Sequence, residues 1–382
     1  MNKILAIIRA VKRALKYDGN LVRKCTYFYF SLLAIKNDVI YFRVDRIASE
    51  YSADWFDLKE IPQKTKKWAY KKGYASYKFQ WYGLNQNNYS EYISDFDFYS
   101  KCNYQNREFE ALFEHKLNTY YLLSPFKDQM PIHYYYICKC KIIPINAPVK
   151  RNGTIDDIIN LVKKQPIAAK ACKGGHGAGF YKLECIDGIF YANHKKYSEN
   201  EFVELISNLD NYIITDYSKP HPIFIKLCGE NTFAVIRTIT VYDDKDGAQL
   251  TGAVIRLGCK KAGILTDYPG TIYCGLTLDE GRLFNPIYRE RDDWYVPIKE
   301  HPDTREDFNL YTVPHWSKLK KIVLDISNYI PMTPYLVMDI IPSEDGFNIL
   351  EINSHGQVRI TEAHYPFLNN LYNRRIFKVK ER

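Results

Sequence analysis

Two apolar segments near the C-terminus each carry a carboxylate, and this pairing restricts the fold more than any other feature of the chain. Asp339 lies in the middle of residues 336–341 (LVMDII), and Glu351 precedes Asn353 by two positions at the end of residues 347–353. Both segments have the length and apolar character of strands, and the short polar stretch between them predicts a hairpin. Residues two apart on a strand project from the same face, so Glu351 and Asn353 are predicted to lie side by side.

A carboxylate inside an apolar strand is costly unless a cation lies nearby. If the hairpin places Asp339 beside Glu351, two carboxylates and the amide of Asn353 converge, and Mg²⁺ prefers such oxygen ligands shared with substrate phosphates. The alternative is that Asp339 and Glu351 form salt bridges with neighbouring Lys or Arg residues. The sequence therefore predicts a magnesium site at Asp339, Glu351 and Asn353, with the salt bridges as the competing arrangement.

A glycine-rich loop connects two predicted strands in the middle of the chain. Residues 170–179 read KACKGGHGAG, so that Lys170 ends the first strand and Gly174, Gly175 and Gly177 follow it. Glycines let backbone N–H groups approach a polyphosphate, and a lysine adds a compact positive charge, although a plain flexible turn has the same composition. A P-loop, a dinucleotide fingerprint and a protein kinase are excluded, because the chain lacks Gly-Lys-Ser/Thr, His-Arg-Asp and Asp-Phe-Gly and the loop leads into a strand.

The other predicted elements are hairpins and a few helices. Capping boxes at Thr154 and Ser198 open helices over residues 155–164 and up to about residue 209, and a third helix spans 317–329. A loop-rich span precedes that third helix. Strands are predicted over residues 167–172, 180–186, 189–194, 212–217, 233–242, 249–257, 335–342 and 347–353. This mixture favours an α+β fold of antiparallel hairpins.

The basic charge is concentrated at the front of the chain. Residues 1–110 hold 19 Lys or Arg against 12 Asp or Glu, whereas the remaining residues are nearly balanced at 34 against 32. This region is also aromatic and shows no regular pattern, which raises nucleic-acid binding as an alternative. Its Lys-rich run at residues 64–72 belongs to no recognisable module, so no nucleic-acid partner is expected.

The start of the chain, residues 1–16, predicts an amphipathic helix. Ile4, Ile8, Val11 and Leu15 fall on one side, with basic residues elsewhere. The apolar run at residues 4–8 is too short for a membrane span or a signal-peptide core. Such a helix either rests on an anionic membrane surface or packs against its own domain. Nine cysteines without a CxxC pair indicate a reducing compartment, so a cytoplasmic protein is expected, with contact to the inner membrane face as a further option.

In their order and spacing, the segments between about residues 92 and 360 resemble the ATP-grasp superfamily. Within it they are most similar to the sugar-transfer-associated branch, which occurs with cell-surface polysaccharide genes. The resemblance implies an ATP-grasp fold in which two α+β subdomains clamp ATP. The implied division is an N-terminal basic aromatic region at residues 1–110, a first subdomain with the Gly-rich lid at 111–214, and a second subdomain with the metal site at 215–382.

The resemblance also implies roles for individual residues. Lys116, in the segment EHKLN, and Lys170 match the lysines that contact the nucleotide phosphates, and the loop of Gly174, Gly175 and Gly177 matches the lid. In the segment IITDY, Thr215 and Asp216 match the hinge that borders adenine and ribose. The strand NTFAVIRTIT is similar to a segment of this branch and carries Arg237. The family's metal-binding set matches Asp339, Glu351 and Asn353.

The implied reaction is an ATP-dependent carboxylate–amine ligation with Mg²⁺, in which an acyl phosphate forms and an amine displaces phosphate. Lys170, Arg237 and Arg256 are the residues expected to supply the positive charge that phosphoryl transfer requires, although Arg256 is equally consistent with a solvated surface position. The branch implies a glycan-precursor carboxylate, for example a uronic acid, and an amino acid as the nucleophile. A sugar kinase and a non-catalytic nucleotide-binding protein on the same fold are the alternatives.

Overall fold

The computed structural model describes residues 3–40, 43–101, 105–145, 153–174, 179–230, 232–262, 268–292 and 294–377. Within them the chain forms a layer of helices followed by two seven-stranded antiparallel sheets. This arrangement confirms the α+β fold class. No helix of the described residues has both the length and the apolar character needed to cross a membrane.

The basic aromatic region forms a layer of six helices, of which only the first was predicted from an amphipathic pattern. The N-terminal helical layer consists of α1 Lys3–Lys16, α2 Leu21–Lys36, α3 Val44–Asp57, α4 Gln63–Lys72, α5 Lys78–Tyr82 and α6 Asp95–Lys101. Two buried carboxylates connect these helices. Asp54 accepts hydrogen bonds from Tyr70 and from both the backbone and hydroxyl of Ser76, and Asp95 pairs with Lys78 at 2.6 Å.

The first sheet lies between residues 133 and 216, with the strand order β2-β1-β7-β3-β4-β5-β6. Its strands are β1 His133–Cys138, β2 Lys141–Pro144, β3 Ile167–Ala171, β4 Phe180–Ile186, β5 Ile189–Ala192, β6 Lys195–Tyr197 and β7 Tyr212–Asp216. The predicted domain boundary at residues 214 and 215 falls inside β7. Helices α8 Ile155–Lys164 and α9 Glu199–Ser207 pack on this sheet, whereas α7 Lys116–Leu122, which precedes it in the chain, packs mainly with residues of the second sheet.

Both predicted capping boxes are confirmed. Thr154 accepts a hydrogen bond from the backbone N–H of Asp157, whose carboxylate accepts in return from the Thr154 backbone. Ser198 and Glu201 make the same reciprocal pair at the start of α9. These bonds satisfy backbone donors that a helix start otherwise leaves without partners. The two helices thus begin at defined residues and cover one face of the first sheet.

The second sheet has the strand order β12-β11-β10-β9-β8-β13-β14. Its strands are β8 Ala234–Asp243, β9 Gly247–Leu257, β10 Ile272–Leu276, β11 Leu283–Arg291, β12 Trp294–Pro297, β13 Tyr335–Ser343 and β14 Gly346–Asn353. The span predicted as loop-rich therefore contains three strands. The remaining helices are α10 Pro222–Cys228, α11 Trp316–Tyr329, α12 Arg359–Glu362 and α13 Leu371–Phe377.

Helices cover both faces of the second sheet. On one face Ile236, Met338 and other apolar residues pack with α11, and on the other face Ile239 and Val337 join the core of the N-terminal helical layer. Trp81 of α5 stacks on Tyr295 of β12 with ring centroids 3.8 Å apart. The N-terminal helical layer and the second sheet thus share one hydrophobic core, and the sheet would be apolar and exposed without that layer.

A β-bulge in the last hairpin changes the face on which its polar residues project. Asp339 pairs with Glu351 and Ile340 pairs with Ile349, so Leu350 is an extra residue in β14. Without this bulge, Glu351 would project to the same side as Ile349, which is buried among the residues around α11. The bulge turns Glu351 to the side of Asp339, as bulges near functional sites commonly do.

Candidate active site

A cavity of about 550 Å³ lies where the first sheet, the second sheet and the N-terminal helical layer meet. It is lined on one side by Lys116 and Lys170 and on the other by Arg237, Asp339 and Glu351. Phe180, Phe233 and other apolar groups complete its walls. The basic and acidic residues singled out from the sequence therefore share one space, although they come from widely separated parts of the chain.

The two lysines reach the cavity from different elements. Lys116 begins α7, where its backbone N–H donates to the carbonyl of Cys172 at 3.0 Å and its Nζ donates to the carbonyl of Gly174 at 3.3 Å. Lys170 lies on β3, where Ile167 and Ala169 face the helices of the first sheet and the alternate residue Lys170 faces the cavity. Strand periodicity therefore fixes the side to which Lys170 points.

The charge state of Lys170 depends on its surroundings. Burial lowers its pKa to about 8, the neighbouring ammonium of Lys116 contributes to the decrease, and the carboxylate of Glu351 opposes it. Two ammonium groups in a low-dielectric site are unfavourable unless an anion lies between them. The pair is thus suited to bind a polyanion such as a triphosphate.

On the second sheet three charged residues form a row across neighbouring strands. Arg237 on β8 pairs with Asp339 on β13, and Asp339 pairs with Glu351 on β14. Arg237 donates to both Asp339 oxygens at 2.8 Å, from Nε and from Nη2, and Arg256 on β9 lies 3.0 Å from the same carboxylate. Asp339 therefore bridges two guanidinium groups, as in the salt-bridge alternative considered from the sequence.

Asp339 and Glu351 differ in their tendency to ionise. Burial alone would raise the pKa of Asp339, but the guanidinium groups of Arg237 and Arg256 outweigh it and hold the pKa at about 2. For Glu351, burial raises the pKa, and the charge of Asp339 adds to the increase despite the opposing effect of Lys116. One carboxylate is thus stable as an anion, and the adjacent one gains from any cation placed beside it.

The donor set is compatible with Mg²⁺. Glu351 and Asn353 both line the cavity and offer carboxylate and amide oxygens, which this hard cation prefers. Asp339 accepts three guanidinium contacts, yet a carboxylate has about four lone-pair sites, so acceptor capacity remains. Within the described residues no cluster of three or more His, Cys, Asp or Glu side chains could hold a metal. A metal ion here would therefore depend on the Asn353 amide and on substrate phosphates, and the assignment stays a prediction.

The segment predicted to form the adenine and ribose hinge reaches the cavity through the residues that follow Asp216. Neither Thr215 nor Asp216 lines the cavity, where Tyr217 and Ser218 lie instead. Thr215 is fully buried, and Asp216 accepts hydrogen bonds from Tyr134 at 2.6 Å and from Gln165 at 2.8 Å. For Asp216 the reason is strand alternation, because it projects with Ile214 to the side of β7 that faces α8.

The glycine loop is described only in part. Gly174 lines the cavity with a positive φ of 108°, a conformation that favours glycine. Its carbonyl, which accepts from Lys116, connects the loop to α7. Gly175 and Gly177 lie outside the described residues, so the predicted lid stays a prediction.

Several cavity residues were not found from the sequence. Arg43 and Arg46 come from α3 and its start, Arg289 comes from β11, and Arg359 begins α12. Tyr99 and Tyr273 line the same region. The one available signal was the basic excess of the N-terminal region, which indicated anion binding without identifying the residues.

Two antiparallel sheets enclose a basic cavity that contains paired carboxylates. The comparison with family models identifies the class of protein that has this arrangement. The model of the sugar-transfer associated ATP-grasp family matches residues 97–369. The match extends over more than two thirds of the chain. The chain therefore belongs to the sugar-transfer associated ATP-grasp family, and it has the ATP-grasp fold.

Solved structures similar to this chain are ATP-grasp enzymes of low identity. N5-carboxyaminoimidazole ribonucleotide synthetase from Thermotoga maritima is 12% identical with a TM-score of 0.34, and the alignment covers 71% of this chain and 50% of that chain. D-alanyl-alanine synthetase A from Vibrio cholerae O1 biovar eltor is 11% identical with a TM-score of 0.36, with 68% and 60% covered. The chain thus spans half to three fifths of the length of these two proteins. A comparison with curated protein sequences gave no match.

Proposed function

We propose that this protein is an ATP-dependent carboxylate–amine ligase that acts through an acyl phosphate. The observation that supports the proposal most is the single cavity in which Lys116 and Lys170 face the row of Arg237, Asp339 and Glu351. Two lysines on one wall suit the phosphates of ATP, and guanidinium groups on the other wall suit a carboxylate and the phosphoryl group that it receives.

In the first step, a carboxylate oxygen of the substrate attacks the γ-phosphorus, and the bond to the β-γ bridging oxygen breaks to release ADP. In the second step, an amine attacks the acyl carbon, phosphate leaves, and the amine loses a proton to give the amide. Catalysis of the first step is mainly positioning and charge neutralisation. Lys170 and Arg237 supply positive charge from opposite walls, and Arg256 keeps Asp339 ionised and Arg237 in place.

Mg²⁺ would be held by Glu351 and Asn353, with Asp339 beside them, and when bound it would neutralise charge on the β- and γ-phosphate oxygens. The protein's own residues then have separate tasks. Lys116 binds phosphate while it also contacts the Gly174 carbonyl, and Phe180 and Phe233 reduce the access of water to the cavity.

The substrates fit a role in cell-surface glycan synthesis. The family is described as sugar-transfer associated, which suggests a sugar carboxylate, such as that of a uronic acid, joined to the amine of an amino acid. ATP is available on the cytoplasmic side, so we place the enzyme in the cytoplasm or at the inner membrane face. These substrate and location assignments are part of the proposal.

The test is a screen for ADP release with Mg-ATP, a panel of uronic acids and sugar nucleotides, and amino acids as amines. We expect ADP release that requires both the carboxylate and the amine, with an amide detected by mass spectrometry. Glu351→Gln should reduce turnover at least a hundredfold while the protein remains folded. Glu344→Gln, an exposed change in the turn of the same hairpin, is the matched control and should retain activity.

Each alternative has its own outcome. A phosphorylated sugar alcohol with no amide would identify a kinase, and ATP binding without ADP release across the panel would identify a nucleotide-binding protein. Full activity of Glu351→Gln would show that Glu351 has no part in the phosphoryl transfer.

A further inference from the structure

The cavity contains many more basic than acidic side chains. Eight arginines and lysines line it, against the two carboxylates of Asp339 and Glu351. Asp339 is already shared between Arg237 and Arg256. A cavity that gathers this much positive charge is unfavourable by itself and becomes favourable when anions enter it.

The basic residues that line the cavity come from two parts of the fold. Lys116, Lys170 and the Asp339 row lie near β13 and β14. We call Arg43, Arg46, Arg289 and Arg359 the arginine wall. Arg289 lies on β11, four strands from Asp339 in the order of the sheet, which at about 4.8 Å between strands is roughly 19 Å. Arg289 is therefore too far from the Asp339 row for one phosphate group to contact both.

The N-terminal helical layer holds much of this wall in place. Arg43 immediately precedes α3, and Arg46 lies near the start of the same helix. Arg359 donates to the Tyr77 hydroxyl at 3.3 Å, and its guanidinium lies 5.8 Å from the Tyr77 ring centroid and 3.8 Å from the Glu50 carboxylate. Arg289 donates to the exposed carboxylate of Asp292 at 2.8 Å. The guanidinium groups of Arg289 and Arg359 thus have supported positions before any ligand enters.

We propose that the arginine wall binds a phosphate or diphosphate group carried by the substrate whose carboxylate is activated beside Asp339. This inference rests on the proposed function for the identity of that substrate. Guanidinium groups bind phosphate oxygens in bidentate fashion, and several of them on one wall match a diphosphate better than a single carboxylate. Tyr99 and Tyr273, which line the same cavity, offer ring faces for a sugar or a base.

The test measures binding rather than turnover, with the nucleotide end occupied. Full-length protein is saturated with AMP-PNP and Mg²⁺, and UDP-glucuronic acid or free glucuronic acid is titrated by calorimetry. We expect UDP-glucuronic acid to bind at least tenfold more tightly than the free sugar acid. Geranyl diphosphate is the second probe, and its binding in place of UDP-glucuronic acid would identify a lipid-linked diphosphate as the source of the phosphate. If neither diphosphate binds, the proposal is wrong.

Substitutions in the arginine wall test whether it is the site of diphosphate binding. Arg46→Gln, alone and with Arg43→Gln, should weaken diphosphate binding at least tenfold and change AMP-PNP binding less than twofold. Arg23→Gln is the control, because Arg23 pairs with Asp57 on the surface of the same helical layer. Equal losses for both ligands would show that the wall serves the nucleotide and would overturn the proposal. Diphosphate binding without ADP release would reject the ligase reaction alone.

A separate observation concerns the outer surface of the helical layer. Helix α1 packs against its own domain through Ala6, Ala10 and Ala14, while its larger apolar residues are exposed. Ile4, Ile8, Val11 and Leu15 are 65%, 47%, 41% and 68% exposed. A surface helix of a globular protein ordinarily buries its large apolar side chains, so this arrangement is the reverse of the usual one.

Helix α2 extends the exposed apolar surface. Leu21, Val22, Tyr29 and Leu32 are also exposed, so that ten of the twenty large apolar residues exposed in the described part of the chain fall between residues 4 and 32. We call the exposed apolar residues of α1 and α2 the apolar face. Isolated apolar residues on a surface need no explanation, but a concentration of this kind marks an interaction surface.

The charge around the apolar face identifies its partner. Residues 3–36 contain eight Lys or Arg and one acidic residue, Asp18. Three of the eight, Lys3, Arg13 and Arg23, form ion pairs with Asp38, Asp45 and Asp57, so the other five supply most of the positive charge around this face. We infer that the apolar face rests on a membrane surface that contains anionic lipid. Apolar side chains inserted at the lipid boundary, with Lys12, Lys16 and Lys24 near the head groups, match the way in which interfacial helices bind.

Vesicle sedimentation tests this inference. We expect the protein to bind vesicles with about one third phosphatidylglycerol, to bind phosphatidylcholine vesicles at least tenfold less, and to be released by high salt. Ile8→Gln with Leu15→Gln should reduce binding at least tenfold, whereas Leu310→Gln, an exposed apolar residue elsewhere, should not. Absence of binding to anionic vesicles would overturn the inference. So would a dimer in sedimentation velocity that Ile8→Gln with Leu15→Gln abolishes, because the face would then be covered by a second copy.

Discussion

Replacing Asp339 with asparagine should destabilise the nucleotide-free protein, and replacing its neighbour Glu351 with glutamine should not. Asp339 is 8% exposed and accepts three guanidinium contacts at 2.8 to 3.0 Å from Arg237 and Arg256. The asparagine keeps the shape of the side chain but removes the charge. The guanidinium groups of Arg237 and Arg256, one partly and one fully buried, then lose their shared anion, and this loss is the costly part of breaking a buried ion pair.

The loss of unfolding free energy in Asp339→Asn can be estimated in two ways. The arginines hold the pKa of Asp339 at about 2 instead of its ordinary 3.8, and at about 1.4 kcal/mol for each pKa unit this amounts to roughly 2 kcal/mol. Removing one partner from a buried ion pair costs about 3 to 5 kcal/mol. We therefore expect Asp339→Asn to lose roughly 2 to 4 kcal/mol of unfolding free energy. For Glu351 the sign is opposite, because burial raises its pKa and the folded protein gains when the charge is removed.

The assay is equilibrium unfolding in urea at pH 7 with EDTA and without nucleotide, followed by near-ultraviolet circular dichroism. The midpoint should decrease for Asp339→Asn and stay equal or increase for Glu351→Gln. Glu344→Gln in the exposed turn of the hairpin is the control for loss of a negative charge. An unchanged midpoint for Asp339→Asn, or an equal decrease for Glu351→Gln, would refute the reasoning and show that Asp339 does not depend on the two arginines.

Two further predictions concern the contact between the helical layer and the rest of the chain. Burial raises the pKa of Glu362 from 4.5 in the unfolded chain to about 8 in the folded protein. The folded state therefore keeps this carboxyl protonated. Its contribution to the free energy of unfolding is complete below the unfolded pKa and is lost as the pH rises through the folded pKa. The melting temperature should therefore decrease as the pH rises from about 5 to 8, and Glu362→Gln should abolish this decrease. An identical decrease in the variant would show that Glu362 is not the group responsible. Trp81→Ala removes the ring stacked on Tyr295 and should cost about 3 to 5 kcal/mol. Calorimetry should still show one transition, and a separate early transition of the helical layer would show that the shared core is not cooperative.

The hairpins and capped helices could be predicted well from the sequence, because their signals are local. Capping at Thr154 and Ser198 depends on residues three positions apart, and the last hairpin depends on an apolar pattern within one short segment. The pairing of Asp339 with Glu351 depends in addition on the bulge at Leu350, which no local pattern indicates. The contact of Asp339 with Arg237 and Arg256 could be stated only as an alternative, since no local pattern determines how three strands align.

The N-terminal helical layer was missed because its residues favour another structure when considered singly. Tyrosine, phenylalanine and tryptophan have high strand propensity, yet Tyr27, Phe30 and Ala34 recur at helical spacing and are buried on one side of α2. Packing on the second sheet determines that these residues form helices, and a short stretch of sequence does not reveal such packing. For the same reason Arg43 could not be assigned to a cavity whose other walls come from distant parts of the chain.

The shared core of the helical layer and the second sheet affects how this protein can be shortened and how its relatives can differ. The family match begins at residue 97, but a chain cut there would leave Ile239, Val337 and Tyr295 without their cover and would aggregate. The same architecture places the residues proposed to bind the acceptor and those proposed to bind the nucleotide on different elements, so the two sets can change independently. Changes in α3 can alter Arg46 and its surroundings while the lysines that face the nucleotide stay the same, so new acceptors can arise without new phosphoryl-transfer machinery.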